Sequence, residues 1–489
     1  MDTKFSSKQA LWFTLINYFG VLIGTVSTLF IYPYNLELFG IIGYIDGFAQ
    51  ILYPVMVLGA STALLNFQPK LNDLLQRKLF SYSMISIVWM VFLCAIGVSV
   101  VYWFDGLENK QYFIYGFFIA ICLAYVDLFK RQATNLQKLS VPTFYEKIIP
   151  KISLPLAFVL ILYCGFSQAQ GLIFYTVSFA MMLLATGFYL FKYFKPVYTL
   201  NYKDLFQEIP KKQYYQYSLY AFSASLGSFF AFRIDSLMIP EFISNAANGD
   251  FKLGVNLANT LMIPAAGVFA LYSPLISESL KKNDLSVLKI KYADVSKNLF
   301  FIGILLYGCV LLGMNDFFEI LPTADKLIPV LPVLYILGGN VVLNMATGFN
   351  TEIIAYSQYY RFNLIAILIL AVLNVGLNYY VLTQTNYGII GVAWASFFAM
   401  MVFNLTKLWF IYRKFNILPI NAHYIKTIAS SFILLLIAYF LPLNVFGIFA
   451  FIVRCAFFAV AFMLLIYKTG WVQEFNNNVA KVVKLILRK

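Results

Sequence analysis

Residues 80–104 read FSYSMISIVWMVFLCAIGVSVVYWF, a run without a single charged side chain. At a rise of about 1.5 Å per residue, a helix over this run is about 37 Å long, enough to cross a hydrocarbon core of about 30 Å. Membrane barrel strands are shorter and alternate in polarity, so the run fits a helix and no other spanning structure. Arg77 and Lys78 stand just before it and Asp105 just after it. That flanking pattern sets orientation, because cations are retained on the cytoplasmic side.

The pattern recurs along the chain. Further apolar runs lie near 9–31, 40–66, 112–131, 147–164, 171–191, 214–239, 252–276, 298–314, 327–350, 362–383, 388–411, 425–442 and 445–467, making fourteen in all. Of the 489 residues, 61% are apolar and 11% charged, against roughly 25% charged in a soluble domain. This composition excludes a water-soluble chain and leaves room only for connectors. The predicted fold class is an all-α polytopic membrane protein with 14 transmembrane helices.

A net charge of +14 raises the question of nucleic acid, and the placement of the cations answers it. With the N-terminus taken as cytoplasmic, thirty of the 35 Lys and Arg fall in inner connectors and tails. Only Lys110, Lys252 and Lys326 fall outside, while Arg233 and Arg454 lie within spans. The charge therefore reads as a record of topology with both termini inside, and no nucleic-acid partner is expected. The first run, Ser6 to Ile31, is long and lacks an A-x-A site, so it is expected to remain as a helix. Cys94, Cys122, Cys164, Cys309 and Cys455 sit singly in apolar runs and read as packing residues, with neither a disulfide frame nor a metal site.

The chain reads as duplicated. Pro54 and Pro264 interrupt corresponding spans, and Phe179-Ala180-Met181-Met182 recurs as Phe398-Ala399-Met400-Met401. The expected organisation is an N-terminal six-helix lobe (1–194), a cytoplasmic linker (195–213), a second six-helix lobe (214–414) in pseudo-two-fold repeat, an appended helix pair (415–467) and a basic amphipathic tail (468–489). A cavity between the lobes would suit alternating access. Gly20 and Gly24, and Gly43 and Gly47, form G-x-x-x-G pairs suited to close helix contact. Leu285, Leu288, Tyr292, Val295 and Leu299 recur every three or four residues beside Lys289 and Lys291, which predicts an interfacial helix. Trp471, Phe475, Val479, Val482 and Ile486 form a similar stripe in the tail, and both segments suit anionic membrane lipids.

Catalytic devices are absent from the pattern. There is no G-x-x-x-x-G-K-[S/T] loop and no H-E-x-x-H, the single His423 lies in an inner connector, and every outer connector is short. An enzyme is not expected. The candidates are instead the ionisable residues within spans, which are expensive in lipid. Arg233 and Asp235 lie in the outer half of the seventh span and Asp46 in the outer half of the second, so an Asp46–Arg233 contact across the lobes would act as an outer gate. Arg454 lies mid-span in the last helix, where it either meets a lipid-linked substrate or pairs with a neighbouring helix. Asp127, Lys130 and Arg131, with Glu352 and Arg361, mark inner helix ends and form either ordinary retained charge or a basic inner vestibule for a phosphate-bearing headgroup. Thr14 and Asn17, Asn256 and Asn259, Asn340, Asn344 and Thr347, and Asn374 and Asn378 each share one helix face. Such stripes either bond a neighbouring helix or line a cavity that binds sugar hydroxyls.

Several stretches resemble a known family. Tyr34-Asn35-Leu36-Glu37-Leu38-Phe39-Gly40-Ile41-Ile42-Gly43-Tyr44 and Leu58-Gly59-Ala60-Ser61-Thr62-Ala63-Leu64-Leu65-Asn66-Phe67 are similar to the first loop and second helix of bacterial polysaccharide-repeat flippases. Arg233-Ile234-Asp235-Ser236-Leu237-Met238-Ile239, Pro274-Leu275-Ile276-Ser277 and Gly388-Ile389-Ile390-Gly391-Val392-Ala393-Trp394-Ala395 look like its later helices. The resemblance implies the multidrug, oligosaccharidyl-lipid and polysaccharide exporter superfamily and, within it, an O-antigen-type oligosaccharide flippase with a multidrug-and-toxin-extrusion-like fold. It further implies a bacterial inner membrane and a polyprenyl-pyrophosphate-linked glycan as substrate. Polysaccharide polymerase and glycosyltransferases would be its partners, and there would be no cofactor beyond a coupling H+ or Na+. The rival readings are a cation-coupled multidrug antiporter and a flippase for a peptidoglycan-precursor lipid.

Overall fold

The computed structural model describes residues 19–103, 107–199, 201–282, 284–440, 448–477 and 479–480. Asn17 and Thr14, and the last residues of the tail stripe, lie outside the described residues. Regular structure among the described residues is entirely helical. In chain order the helices are α1 (Phe19–Phe30), α2 (Leu36–Val57), α3 (Ala60–Phe67), α4 (Asp73–Trp103), α5 (Phe113–Asn135), α6 (Ser140–Tyr163), α7 (Gln168–Phe191), α8 (Lys203–Glu208), α9 (Lys211–Phe232) and α10 (Asp235–Phe242). There follow α11 (Asn245–Thr260), α12 (Ile263–Lys281), α13 (Leu285–Phe318), α14 (Ala324–Leu327), α15 (Leu331–Ala346), α16 (Asn350–Tyr356), α17 (Arg361–Gln384), α18 (Gly388–Phe415), α19 (Ala422–Tyr439) and α20 (Ile448–Thr469).

Among the described residues ten helices are long and apolar enough to cross a membrane, or eleven if the α9–α10 pair, bent by 47°, is one span. Helix α4 carries the run 80–103, and its Val88, Trp89, Phe92, Leu93, Ile96 and Val100 are exposed, as lipid-facing side chains must be. Two further apolar runs are broken. Helix α2 contains Pro54 and ends where Leu58 (φ 44°) and Gly59 (φ 75°) turn left-handed before α3. The run 252–276 is divided at Leu261–Met262, and Pro264 occupies the first turn of α12, where its missing N–H costs no helical bond.

The chain forms two compact units, one up to Lys252 and one from Leu253. In the first, α2 packs against α4, α5, α9 and α10, and Tyr32 stacks on Phe39 with ring centroids 4.4 Å apart. In the second, α13 packs against α15 and α20. The predicted interfacial helix is not a separate element: its stripe continues without a break into the ninth run as the 34-residue α13, capped by Asp284, which accepts from the Val287 N–H at 3.2 Å. Leu288, Tyr292, Val295 and Leu299 are 0–1% exposed, so the stripe faces protein core. A three-to-four spacing specifies one apolar face and leaves open what covers it.

Candidate functional site

The first unit builds its polar centre on the glycine face of α2. A Cβ on Gly40 would lie 1.7 Å from the Asn245 carbonyl oxygen, and one on Gly43 would overlap the Lys252 side chain. Glycine is what lets the start of α11 lie against α2. That approach lets Asn248 Nδ2 donate to the Gly40 carbonyl at 2.8 Å and sets Lys252 Nζ 5.1 Å from the Phe39 ring centroid. Gly47 meets Ser236 and Leu237 of α10. The Gly43–Gly47 pair is thus a close-packing face, extended by Gly40. Gly20 meets the end of the Lys151 side chain, and nothing lies within 4 Å of a Cβ on Gly24.

Asp46, one turn past Gly43, accepts from the Tyr175 hydroxyl of α7 at 3.0 and 3.2 Å. The charges of Lys252 and Arg233 both bear on it, yet neither forms an ion pair with it within 4.0 Å. No hydrogen bond or ion pair joins Asp46 to Arg233, so the expected gating contact between them is not formed here. Its place is taken by the Tyr175–Asp46 bond. Tyr175→Phe removes that donor and should lower stability by about 1–2 kcal/mol; an unchanged thermal midpoint would show the bond contributes nothing.

Arg233 follows the last residue of α9, at the bend, with Asp235 beginning α10 at 8% exposure. Its guanidinium makes no hydrogen bond or ion pair among the described residues. It lines a cavity of about 220 Å³ with Gln50, Tyr53, Leu123, Val126, Asp127 and Glu146. Arg233, expected in the outer half of its span, and Asp127, expected at an inner helix end, share this cavity, because α9 breaks at Arg233 beside Gln50 and Tyr53 of α2. Both cavity carboxylates have partners elsewhere. Asp127 pairs with Arg131 at 3.5 Å, and Lys130 donates to Glu146 at 2.6 Å. The vestibule cations Lys130 and Arg131 are therefore engaged, and Arg233 is the cavity-lining cation left without a carboxylate.

In the second unit the candidates separate. Asn374 and Asn378 are buried, with Asn378 Nδ2 donating to Asn374 Oδ1 at 3.5 Å and Ser396 of α18 donating to the same oxygen at 3.3 Å; here the stripe bonds helix to helix. Asn340 and Asn344 lie half-buried on α15, Asn256 half-buried and Asn259 exposed on α11. Arg454 donates to Asp316 Oδ2 of α13 at 2.8 Å, which makes it a helix-pairing residue of α20 rather than a free lipid-groove contact. Asp316→Asn should cost about 1–2 kcal/mol, discounted for partial exposure, by leaving Arg454 without its counter-charge; a fall of a few degrees in thermal midpoint is the check. Arg361 begins α17 with its Nε 3.4 Å from the Tyr360 hydroxyl. Glu352 lies on α16, where burial pushes its carboxyl above the usual range while Lys407 opposes that rise.

Several residues escaped the sequence reading. Lys252, an outer connector cation by its place in the sequence, lies within α11 against Gly43, and Lys407, an inner cation by its place, is 2% exposed within α18. Counting charge by connector assigns a lysine to the end of its helix, and nothing in one sequence shows its stem turning inward. Tyr175, Gln50, Tyr53, Glu146 and Asn404 had no local signal, since tyrosine and isolated polar residues are common throughout these helices.

No family model matches the chain, and no curated protein matches it. Solved structures do. A lipid II flippase MurJ in an inward closed conformation aligns with a TM-score of 0.72 over 94% of this chain and 99% of that one, at 14% identity. An inward-facing multidrug resistance MATE family transporter of the MOP superfamily aligns with a TM-score of 0.63 over 81% and 94%, at 12% identity. A MATE protein in complex with MaL6 aligns with a TM-score of 0.52 over 83% and 96%, at 14% identity. At these identities the likeness establishes a shared multi-pass helical fold.

Proposed function

We propose that the protein is a membrane transporter, a flippase that carries a polyprenyl-pyrophosphate-linked oligosaccharide across a bacterial inner membrane by alternating access for surface polysaccharide synthesis. The observation that carries this reading is Arg233: a cation held at a helix break, facing a polar cavity with no carboxylate of its own. An arginine so placed suits a phosphate, to which it can donate two parallel N–H bonds. Gln50 and Tyr53 beside it offer the neutral groups that sugar hydroxyls accept from and donate to. The likeness to a lipid II flippase supports lipid-linked cargo of this chemistry. A peptidoglycan-precursor lipid shares the pyrophosphate and differs in the glycan, so it remains the nearest alternative.

The proposal takes all fourteen apolar runs as spans in two six-helix lobes and an appended pair, including 9–31, 147–164, 214–239 and 252–276, whose helices are short, proline-bearing, bent or broken. It places both termini in the cytoplasm, assigns no enzymatic step to the chain, and looks to anionic lipids, polysaccharide polymerase and glycosyltransferases as neighbours. The rival is a cation-coupled multidrug antiporter, whose carboxylates should be free to meet a cationic drug; Asp127 and Glu146 are already paired. Purified protein in proteoliposomes should transfer a fluorescent polyprenyl-pyrophosphate oligosaccharide between leaflets faster than protein-free vesicles. Absence of transfer together with gradient-driven efflux of a cationic dye would overturn the flippase reading.

A further inference from the structure

Two cysteines separated by 146 positions in the sequence meet in the second unit. Cys309 lies on α13 and Cys455 on α20, and both helices belong to the unit that begins at Leu253. On α13 the positions Cys309, Gly313 and Asp316 recur at i, i+4 and i+7, which puts them on one face. Phe451, Cys455 and Phe458 recur in the same way on α20. The glycines let the two faces close. A Cβ on Gly313 would overlap the Phe451 ring and lie 2.9 Å from Cys455 Sγ, and one on Gly308 would overlap the Phe458 ring. Beside them Arg454 donates to Asp316 at 2.8 Å.

Within that interface the Cys455 thiol donates to the Cys309 carbonyl at 3.4 Å, and the two thiol groups interact. A sulfur resting on its partner's own backbone is the close approach that a disulfide needs, with Cα atoms about 4.4–6.8 Å apart. Neither residue is sealed in the core. Both are part-exposed, and Cys455 stands two turns into α20, about 10 Å along its axis. A small uncharged oxidant can reach that depth through lipid. The other three cysteines are placed differently: Cys94 of α4 and Cys122 of α5 are buried, and Cys164, at the end of α6, is exposed.

We propose that Cys309 and Cys455 are a peroxide-sensitive thiol pair whose oxidation staples α20 to α13. Hydrogen peroxide gives one oxygen to the first sulfur as its O–O bond breaks, leaving a sulfenic acid and one water. The second sulfur then attacks the first, the S–S bond forms and the hydroxyl leaves as a second water. The two thiols together lose two electrons and two protons, and the peroxide takes up both. A thiol reductant reverses the change by exchange. The new bond closes a ring of chain that contains α14 to α19, so it restricts the unfolded state and raises the temperature at which the unit unfolds. The site belongs to the second unit and shares no residue with the Arg233 cavity, so it stands whatever the cargo is.

The test treats full-length protein in lipid nanodiscs with hydrogen peroxide, then blocks the remaining thiols by alkylation and digests the chain without reduction. Cys309 and Cys455 should disappear together from the alkylated pool, and the peptides that carry them should be recovered joined, from monomeric chain that has lost the mass of two hydrogens. Reductant should restore both thiols. The oxidised protein should also unfold several degrees higher than the reduced protein. Cys309→Ser and Cys455→Ser should lose the link and the gain in midpoint, and one of the two should carry a sulfenic acid that a dimedone probe labels, because no second sulfur is there to displace it. Both thiols remaining free while the exposed Cys164 is oxidised, or either one joined to a different cysteine, would overturn the proposal. A link that forms with no rise in midpoint would overturn the stapling.

Discussion

Gly40→Ala is expected to prevent the first unit from assembling. The added Cβ would sit 1.7 Å from the Asn245 carbonyl oxygen and 3.0 Å from the Gly249 amide nitrogen, and both obstacles are backbone, so no rotamer change relieves the overlap. From the other side, a Cβ on Gly249 would meet the Leu36 carbonyl oxygen at 2.1 Å. Separating α2 from α11 would break the Asn248–Gly40 bond and withdraw Lys252 from the neighbourhood of Asp46. Overpacking of this kind costs about 3 kcal/mol or more when backbone must move. The variant should be recovered aggregated, or with a thermal midpoint many degrees lower. Gly24→Ala is the control, since nothing lies within 4 Å of its Cβ and alanine gains up to about 1 kcal/mol of helix propensity. Equal behaviour of the two variants would contradict the packing of α2 on α11.

Arg233→Ala should leave folding intact and weaken headgroup binding. Arg233 is exposed at the α9–α10 bend and bonds to no described side chain, so removing it strands no partner. Losing a charge-assisted contact to phosphate is worth about 1.5–3 kcal/mol, or roughly 10- to 100-fold in affinity. Titration of detergent-solubilised protein with a short-chain polyprenyl pyrophosphate should show that loss for Arg233→Ala. Arg233→Lys should show a smaller one, because a lysine keeps the charge and loses the paired geometry. Unchanged affinity with a normal thermal midpoint would remove Arg233 from the site.

The membrane class was fully legible from the sequence, because twenty-odd residues without charge admit only a helix in lipid. Which apolar helix packs on which was legible only at the glycines, where Gly43 and Gly47 mark a face that another backbone can approach. Helix breaks were half-legible: Pro54 announces one, but the bend at Arg233 has no proline or glycine at its centre, and a lone charge in an apolar run does not mark a bend. Side-chain direction was the larger loss. Arg233 and Asp127, separated by 106 positions in the numbering, share a cavity only because α9 and α5 both pack beside α2. Lys252 and Lys407 looked like topology markers because counting cations by connector cannot tell a lysine in water from one whose stem lies along a glycine or an aromatic ring. The Asn374–Asn378 stripe had two readings of equal spacing, and only the Ser396 hydroxyl across the helix pair decided between them.

The central claim is that Arg233 and its cavity serve an anionic lipid-linked glycan. Its most direct test is the initial rate of interleaflet transfer of a fluorescent polyprenyl-pyrophosphate oligosaccharide in proteoliposomes containing equal amounts of wild type or Arg233→Ala protein. The account predicts rapid transfer by the wild type and a rate lower by about tenfold or more for the variant; equal rates, or no transfer by either, would contradict it.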